Sequence, residues 1–76
     1  MKLLRYLDGE KVKYIRPDLI VSIYRSMGVN TIEILLGEWS FQYYSSESVD
    51  VLSKRWVLAL GIEGIQEWKR MYSDSF

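Results

Sequence analysis

Along the first 44 positions, apolar and polar residues alternate with a period near two. After that they recur at spacings of three and four. Period two places alternate side chains on opposite faces of a strand, and the longer spacing marks a helix face. Lys2–Leu7 and Lys11–Ile15 read as short strands joined at Asp8-Gly9, a hairpin signal. In the second of these, Val12 and Tyr14 alternate with Lys11 and Lys13. Pro17 holds Arg16 out of helical geometry, so Arg16-Pro17-Asp18 punctuates the chain. Leu19–Tyr24 reads as a third strand that can open with a single helical turn at Pro-Asp-Leu-Ile, and Met27-Gly28-Val29-Asn30 reads as the next loop.

Thr31–Leu36 and Trp39–Tyr44 form the clearest hairpin. Ile32, Ile34 and Leu36 share one face of the first strand, and Trp39, Phe41 and Tyr43 share one face of the second. Gly37-Glu38 between them suits a type II′ turn, which takes glycine first. The two apolar rows meet across the hairpin and read as core. Tyr44 stands on the opposite face with acidic neighbours.

Helix is expected from Ser46. Ser45, Ser46 and Ser48 offer cap oxygens, and Glu47 and Asp50 put negative charge where the helix dipole favours it. Val49, Leu52, Trp56, Ala59 and Leu60 form one stripe, and Ile62, Ile65, Trp68 and Tyr72 form another. At about 100° per residue the second points roughly half a turn from the first. Gly61 is a natural helix end, so the pattern predicts helices over 46–60 and 62–72 with a break between. An unbroken helix would carry two sticky faces, one for its own sheet and one for a partner. Strands first and helices last describe one α+β domain over 1–76. Its strand part, 1–44, is a small antiparallel β-meander or open barrel of about five short strands, followed by one or two C-terminal helices over 46–72.

Composition sharpens this picture. A chain of 76 residues buries only about 60% of its unfolded surface, and this one has no cysteine or histidine to add a disulfide or the usual metal ligands. Packing, alone or with self-association, must hold it. The means are present, since 49% of residues are hydrophobic, with three Trp, six Tyr and two Phe. Formal charge sums to zero but is unevenly spread: residues 1–25 are basic on balance, whereas 26–50 carry Glu33, Glu38, Glu47 and Asp50 with no Lys or Arg. The simplest expectation is complementary charge on facing strands. Arg5 and Asp8 interrupt the apolar start, and no apolar run approaches the roughly 20 residues of a membrane span. No membrane and a cytoplasmic location are therefore expected.

Candidate chemistry is sparse. Without histidine or cysteine, serine has no usual base, and the adjacent Ser53-Lys54 would point in different directions on a helix. Glu33 and Glu38 flank the hairpin turn, where acidic residues ordinarily serve solubility. Gly61-Ile62-Glu63-Gly64 lacks the Lys and Ser/Thr of a phosphate loop. No enzyme, cofactor, metal or small-molecule substrate is expected. The aromatic strand could stack single-stranded nucleic acid, but acidic neighbours oppose phosphate there.

The order Asp8-Gly9, Pro17-Asp18-Leu19-Ile20, Thr31–Gly37 and Tyr43–Val49 resembles the layout of the flagellar FlbD-like family of small bacterial proteins. That layout is a strand meander followed by a short helix after a Ser-Glu-Ser cap, and the likeness covers roughly residues 3–52. It departs at Gly37-Glu38-Trp39, where that family has an Asn-Gly turn and lysine, and in the aromatic C-terminal segment. No function is carried across.

What remains in surplus is apolar surface on the helical part. Ile65, Trp68, Met71 and Tyr72, with Glu33, Glu38 and Tyr44 on the hairpin, are the expected protein-interaction residues, because Trp, Tyr and Met favour interface centres. The expected function is non-enzymatic protein binding, as a small regulator, inhibitor or adaptor of bacterial or phage type. A structural homo-oligomer, such as a homodimer, is the alternative, and single-stranded nucleic-acid binding is the second.

Overall fold

A computed structural model describes residues 2–72 and shows the expected α+β order. Strands β1 (Leu4–Asp8) and β2 (Lys11–Ile15) form one antiparallel hairpin. A 3₁₀ turn over Pro17–Leu19 leads into β3 (Ile20–Ser26), which pairs with β4 (Val29–Leu36), which in turn pairs with β5 (Trp39–Ser45). The meander is thus two antiparallel sheets, of two and three strands. Helix α1 (Val49–Tyr72) follows the strands.

Each hairpin turn has two residues, and glycine makes each one affordable in backbone terms. At Gly37 φ is +65° and Glu38 stays negative, as a type II′ turn requires. At the β3–β4 turn both Met27 (φ +51°) and Gly28 (φ +77°) are left-handed, the mirror-type I′ turn. The loop expected over Met27–Asn30 is therefore shorter, and Val29 and Asn30 already belong to β4.

The expected start of the helix needs correction. It begins at Val49, not Ser46. Ser48 is the cap: its Oγ accepts the Val51 N–H (3.3 Å) and its carbonyl accepts the Leu52 N–H (3.0 Å). Ser45–Glu47 instead latch β5 to β1. Ser45 Oγ and Ser46 N–H both donate to the Leu7 carbonyl (2.7 and 3.0 Å), and the Leu7 N–H donates to Glu47 Oε1 (2.9 Å). The helix itself is interrupted at Gly61 (φ +70°, ψ 178°), a conformation essentially reserved to glycine, so helical segments lie on either side as the two stripes predict.

α1 lies over β3, the Pro17–Leu19 turn and β1. Between them sit Leu4, Tyr6, Ile20, Ile32, Ile34, Leu52 and Ala59, with Ile15, Leu19, Ile23 and Trp56 packed around. Burying a side chain such as Leu or Ile stabilises by about 1.5–3 kcal/mol, so this compact set supplies most of the favourable term. Among the described residues the ion pairs are Lys13–Asp8, Arg16–Asp18 and Arg55–Glu47. Lys13–Asp8 spans the facing strands β1 and β2, as complementary cross-strand charge predicts, but none of the three joins the basic strands to the acidic β4–β5 hairpin. No described helix is long and apolar enough to cross a membrane.

Candidate functional site

The C-terminal aromatics turn inward. Trp56 and Trp68 meet edge to face, with ring centroids 5.4 Å apart and planes at 86°, and Tyr72 lies 5.1 Å from Trp68. Both indoles also donate to backbone carbonyls across the fold, Trp56 Nε1–H to Pro17 O (2.9 Å) and Trp68 Nε1–H to Ile20 O (2.6 Å). These contacts satisfy the polar end of each ring while its body packs. Trp68, Tyr72 and Ile65 are half-buried. Of that group only Met71 is largely open, at 63% exposure. Ile65, Trp68 and Tyr72 of the second stripe thus pack inward beyond the break at Gly61, whereas Ile62 stays exposed.

Surplus apolar surface remains on α1, at Val57, Leu58 and Ile62, and a second stretch of it lies on β5. Ile32 faces Tyr43, Ile34 faces Phe41 and Leu36 faces Trp39 in the β4–β5 register. The β4 isoleucines are buried, yet Trp39, Phe41 and Tyr43 on the same sheet face are 72%, 42% and 37% exposed. The reason is where the helix lies. It covers β3 and β1, and the core face of the sheet runs out from under it at β5. The alternation placed these three rings on the right face, but the expectation that they are core fails for want of a covering layer. Leu36 is exposed beside them.

The opposite face of the sheet carries a shallow groove of roughly 440 Å³ lined by Tyr24, Met27, Val29, Thr31, Gln42 and Tyr44. Thr31 lies between Tyr24 and Tyr44 in register and is buried beneath them. Glu33 accepts a hydrogen bond from Gln42 Nε2 (3.0 Å). Desolvation, reinforced by the Glu33 charge, raises the Tyr24 phenol pKa. Glu33 is therefore engaged on this face, while Glu38 stands exposed in the turn and Tyr44 is exposed beside the groove. The hairpin residues named from sequence come together around β5; the helical ones do not join them, and Met71 lies on α1 beside Trp68 and Asp18.

The strongest electrostatic feature is structural. Arg55 donates to both carboxylate oxygens of Glu47 (2.7 Å each) and also to the Arg5 carbonyl (2.7 Å). The Arg55 hydrogen bond holds the Glu47 carboxyl below its ordinary pKa, with the Leu7 N–H adding to it against the opposing effect of burial. This clamp ties α1, β1 and the end of β5 at one point. Among the described residues no three Asp, Glu, His or Cys side chains group as metal ligands would.

The aromatic strand is also a sheet edge. In the three-stranded sheet β5 pairs only with β4, and every residue from Trp39 to Tyr44 is exposed and uncharged. Exposed edge strands of that kind are templates for further pairing unless charge, proline or a bulge blunts them. What this surface offers is therefore a row of rings with a hydrogen-bonding backbone beside it. Comparison of the chain with protein-family models, curated proteins and solved structures finds no match.

Proposed function

We propose that this chain is a non-enzymatic protein-binding module, a regulator, inhibitor or adaptor, whose contact surface is the aromatic strand β5 together with Leu36. One observation carries the reading: Trp39, Phe41 and Tyr43 share a sheet face with buried Ile32 and Ile34 but lie outside the cover of α1. Clusters of aromatic side chains next to an apolar core are the side-chain types that dominate interface centres. An uncharged edge adds main-chain hydrogen bonding to them.

A photo-crosslinking residue such as benzoylphenylalanine, placed at Trp39 or Phe41 in cells making the protein, tests this. Discrete protein adducts are expected from both positions, and none from Glu10 in the exposed β1–β2 turn. Absence of adducts at both aromatic positions would overturn the reading.

A further inference from the structure

We infer that the first protein held on β5 is a second copy of the same chain, paired antiparallel through β5 about a two-fold axis at Phe41. This rests on the reading of β5 as the contact surface and names its occupant. A two-residue turn closes on a pair that exchanges both main-chain hydrogen bonds, here Leu36 and Trp39. Alternation along the ladder then makes Trp39, Phe41, Tyr43 and Ser45 bond to β4, and turns the N–H and C=O of Ser40, Gln42 and Tyr44 outward. Ser46 is next in that outward series, and its N–H does point away from β4, to the Leu7 carbonyl 3.0 Å away.

That last bond also limits what can add to the edge. β1 occupies the place beside Ser46, so an incoming strand must end in a tight turn before reaching it. β5 has that property, since Trp39 directly follows the Gly37-Glu38 turn. Keeping both core faces on one side requires residues of the same parity to oppose one another. Pairing about Gln42 would bring Glu38 of the second copy against Ser46, where Leu7 already sits. Pairing about Phe41 brings Trp39 opposite Tyr43 and stops short of Leu7.

In this register Ser40 of each copy exchanges both backbone bonds with Gln42 of the other, using outward groups that β4 leaves open. On the core face, Trp39 of one copy lies opposite Tyr43 of the other, and the two Phe41 rings oppose each other at the axis. Directly opposed aromatic side chains are among the favourable cross-strand pairs. No charged residue of Trp39–Tyr44 meets a like charge, because there is none. The result is one six-stranded sheet whose apolar row is continuous across the axis. The exposed parts of Trp39, Phe41 and Tyr43 can contribute at most roughly 700 Å² over the two copies, the size of a weak contact. Self-association should therefore depend on concentration.

The chain has no cysteine, so single cysteines report the register cleanly. Opposed residues in a non-hydrogen-bonded pair have Cα atoms about 4.5 Å apart, within disulfide range. Under mild oxidation Phe41→Cys should form a covalent dimer, and Ser40→Cys and Gln42→Cys should not. A dimer from Gln42→Cys in place of Phe41→Cys would overturn the register.

Because Phe41→Cys also removes a ring, the unmodified chain is measured alongside by light scattering over a hundredfold concentration range. Its mass should rise from one copy toward two. Gln42→Pro, which removes an outward N–H and leaves the β4 ladder intact, should hold it at one copy with an unchanged circular dichroism spectrum. A unmodified chain that stays monomeric throughout would overturn self-pairing. The reading of β5 as a protein-binding surface would then stand or fall on the photo-crosslinks alone, whose adducts would have the mass of a different protein.

Discussion

Trp68 and Trp39 carry the same large side chain to opposite ends of one sheet, and the molecule uses them in opposite ways. Trp68 packs edge-on against Trp56, contacts Tyr72 and gives its indole N–H to the Ile20 carbonyl. Trp39 shares a face with Leu36 at the turn end of the β4–β5 hairpin and is 72% exposed. The difference is not in the residue or in the local pattern but in what lies above. α1 crosses β3 and β1 and is brought back over β3 by the break at Gly61, so rings near Ile20 are enclosed and rings on β5 are left open. A small domain with one helix has cover for only part of its sheet.

The sharpest way to break this comparison is to remove the enclosed ring. Truncating a packed tryptophan costs about 3 kcal/mol, against the roughly 4–11 kcal/mol total expected for a chain of this length. Trp68→Ala should therefore lose a large part of the folding free energy in urea titration, with α1 loosening first.

Gly61 tests the cause of the enclosure. An Ala there must adopt a conformation that costs on the order of 1–3 kcal/mol. Because nothing lies within 4 Å of the added methyl, strain alone is being measured. Gly61→Ala should lose about 2 kcal/mol and weaken the near-ultraviolet circular dichroism that the Trp56–Trp68 pair produces. An unchanged spectrum would separate the helix break from the inward turn of Trp68.

The Glu47–Arg55 clamp anchors the enclosed end and adds an acid dependence. Folding lowers the Glu47 pKa, so its contribution is complete above the unfolded carboxylate value of about 4.3 and is lost as pH falls through the lower folded value. Asp8, lowered by its hydrogen bond to Lys13, follows the same direction from an exposed site. Glu47→Gln should cost up to about 2 kcal/mol at neutral pH and flatten the acid limb of the stability profile. A limb as steep as the unmodified chain's would place the titrating group elsewhere.

Much of this architecture was legible in the residues. Gly9, Gly37 and the alternation of Ile32, Ile34, Phe41 and Tyr43 marked the hairpins and sorted the faces, because turn chemistry and period two are local properties. Gly61 and the two mismatched stripes marked the helix break. What could not be read locally was the consequence of that break. Two stripes half a turn apart suggest one spare face, and Ile65, Trp68 and Tyr72 were the natural residues to assign to a partner. With Gly61 at φ +70° these three pack inward, while Val57, Leu58 and Ile62 of α1 and the β5 row stay exposed. The helix start was misplaced for a similar reason. Ser45, Ser46 and Glu47 have the composition of a cap but spend their polar groups on Leu7 and Arg55, partners about 40 and 8 positions away in the chain.

The most direct test of the division between enclosed and open aromatic rows is the urea unfolding midpoint of Trp39→Ala, set beside Trp68→Ala. The measurement is made dilute enough that self-association adds nothing to the unmodified chain. Trp39→Ala should stay within about 0.5 kcal/mol of the unmodified protein, as surface changes do, while Trp68→Ala falls far below it. A loss at Trp39 as large as that at Trp68 would make the β5 row part of the core and contradict its assignment as a contact surface.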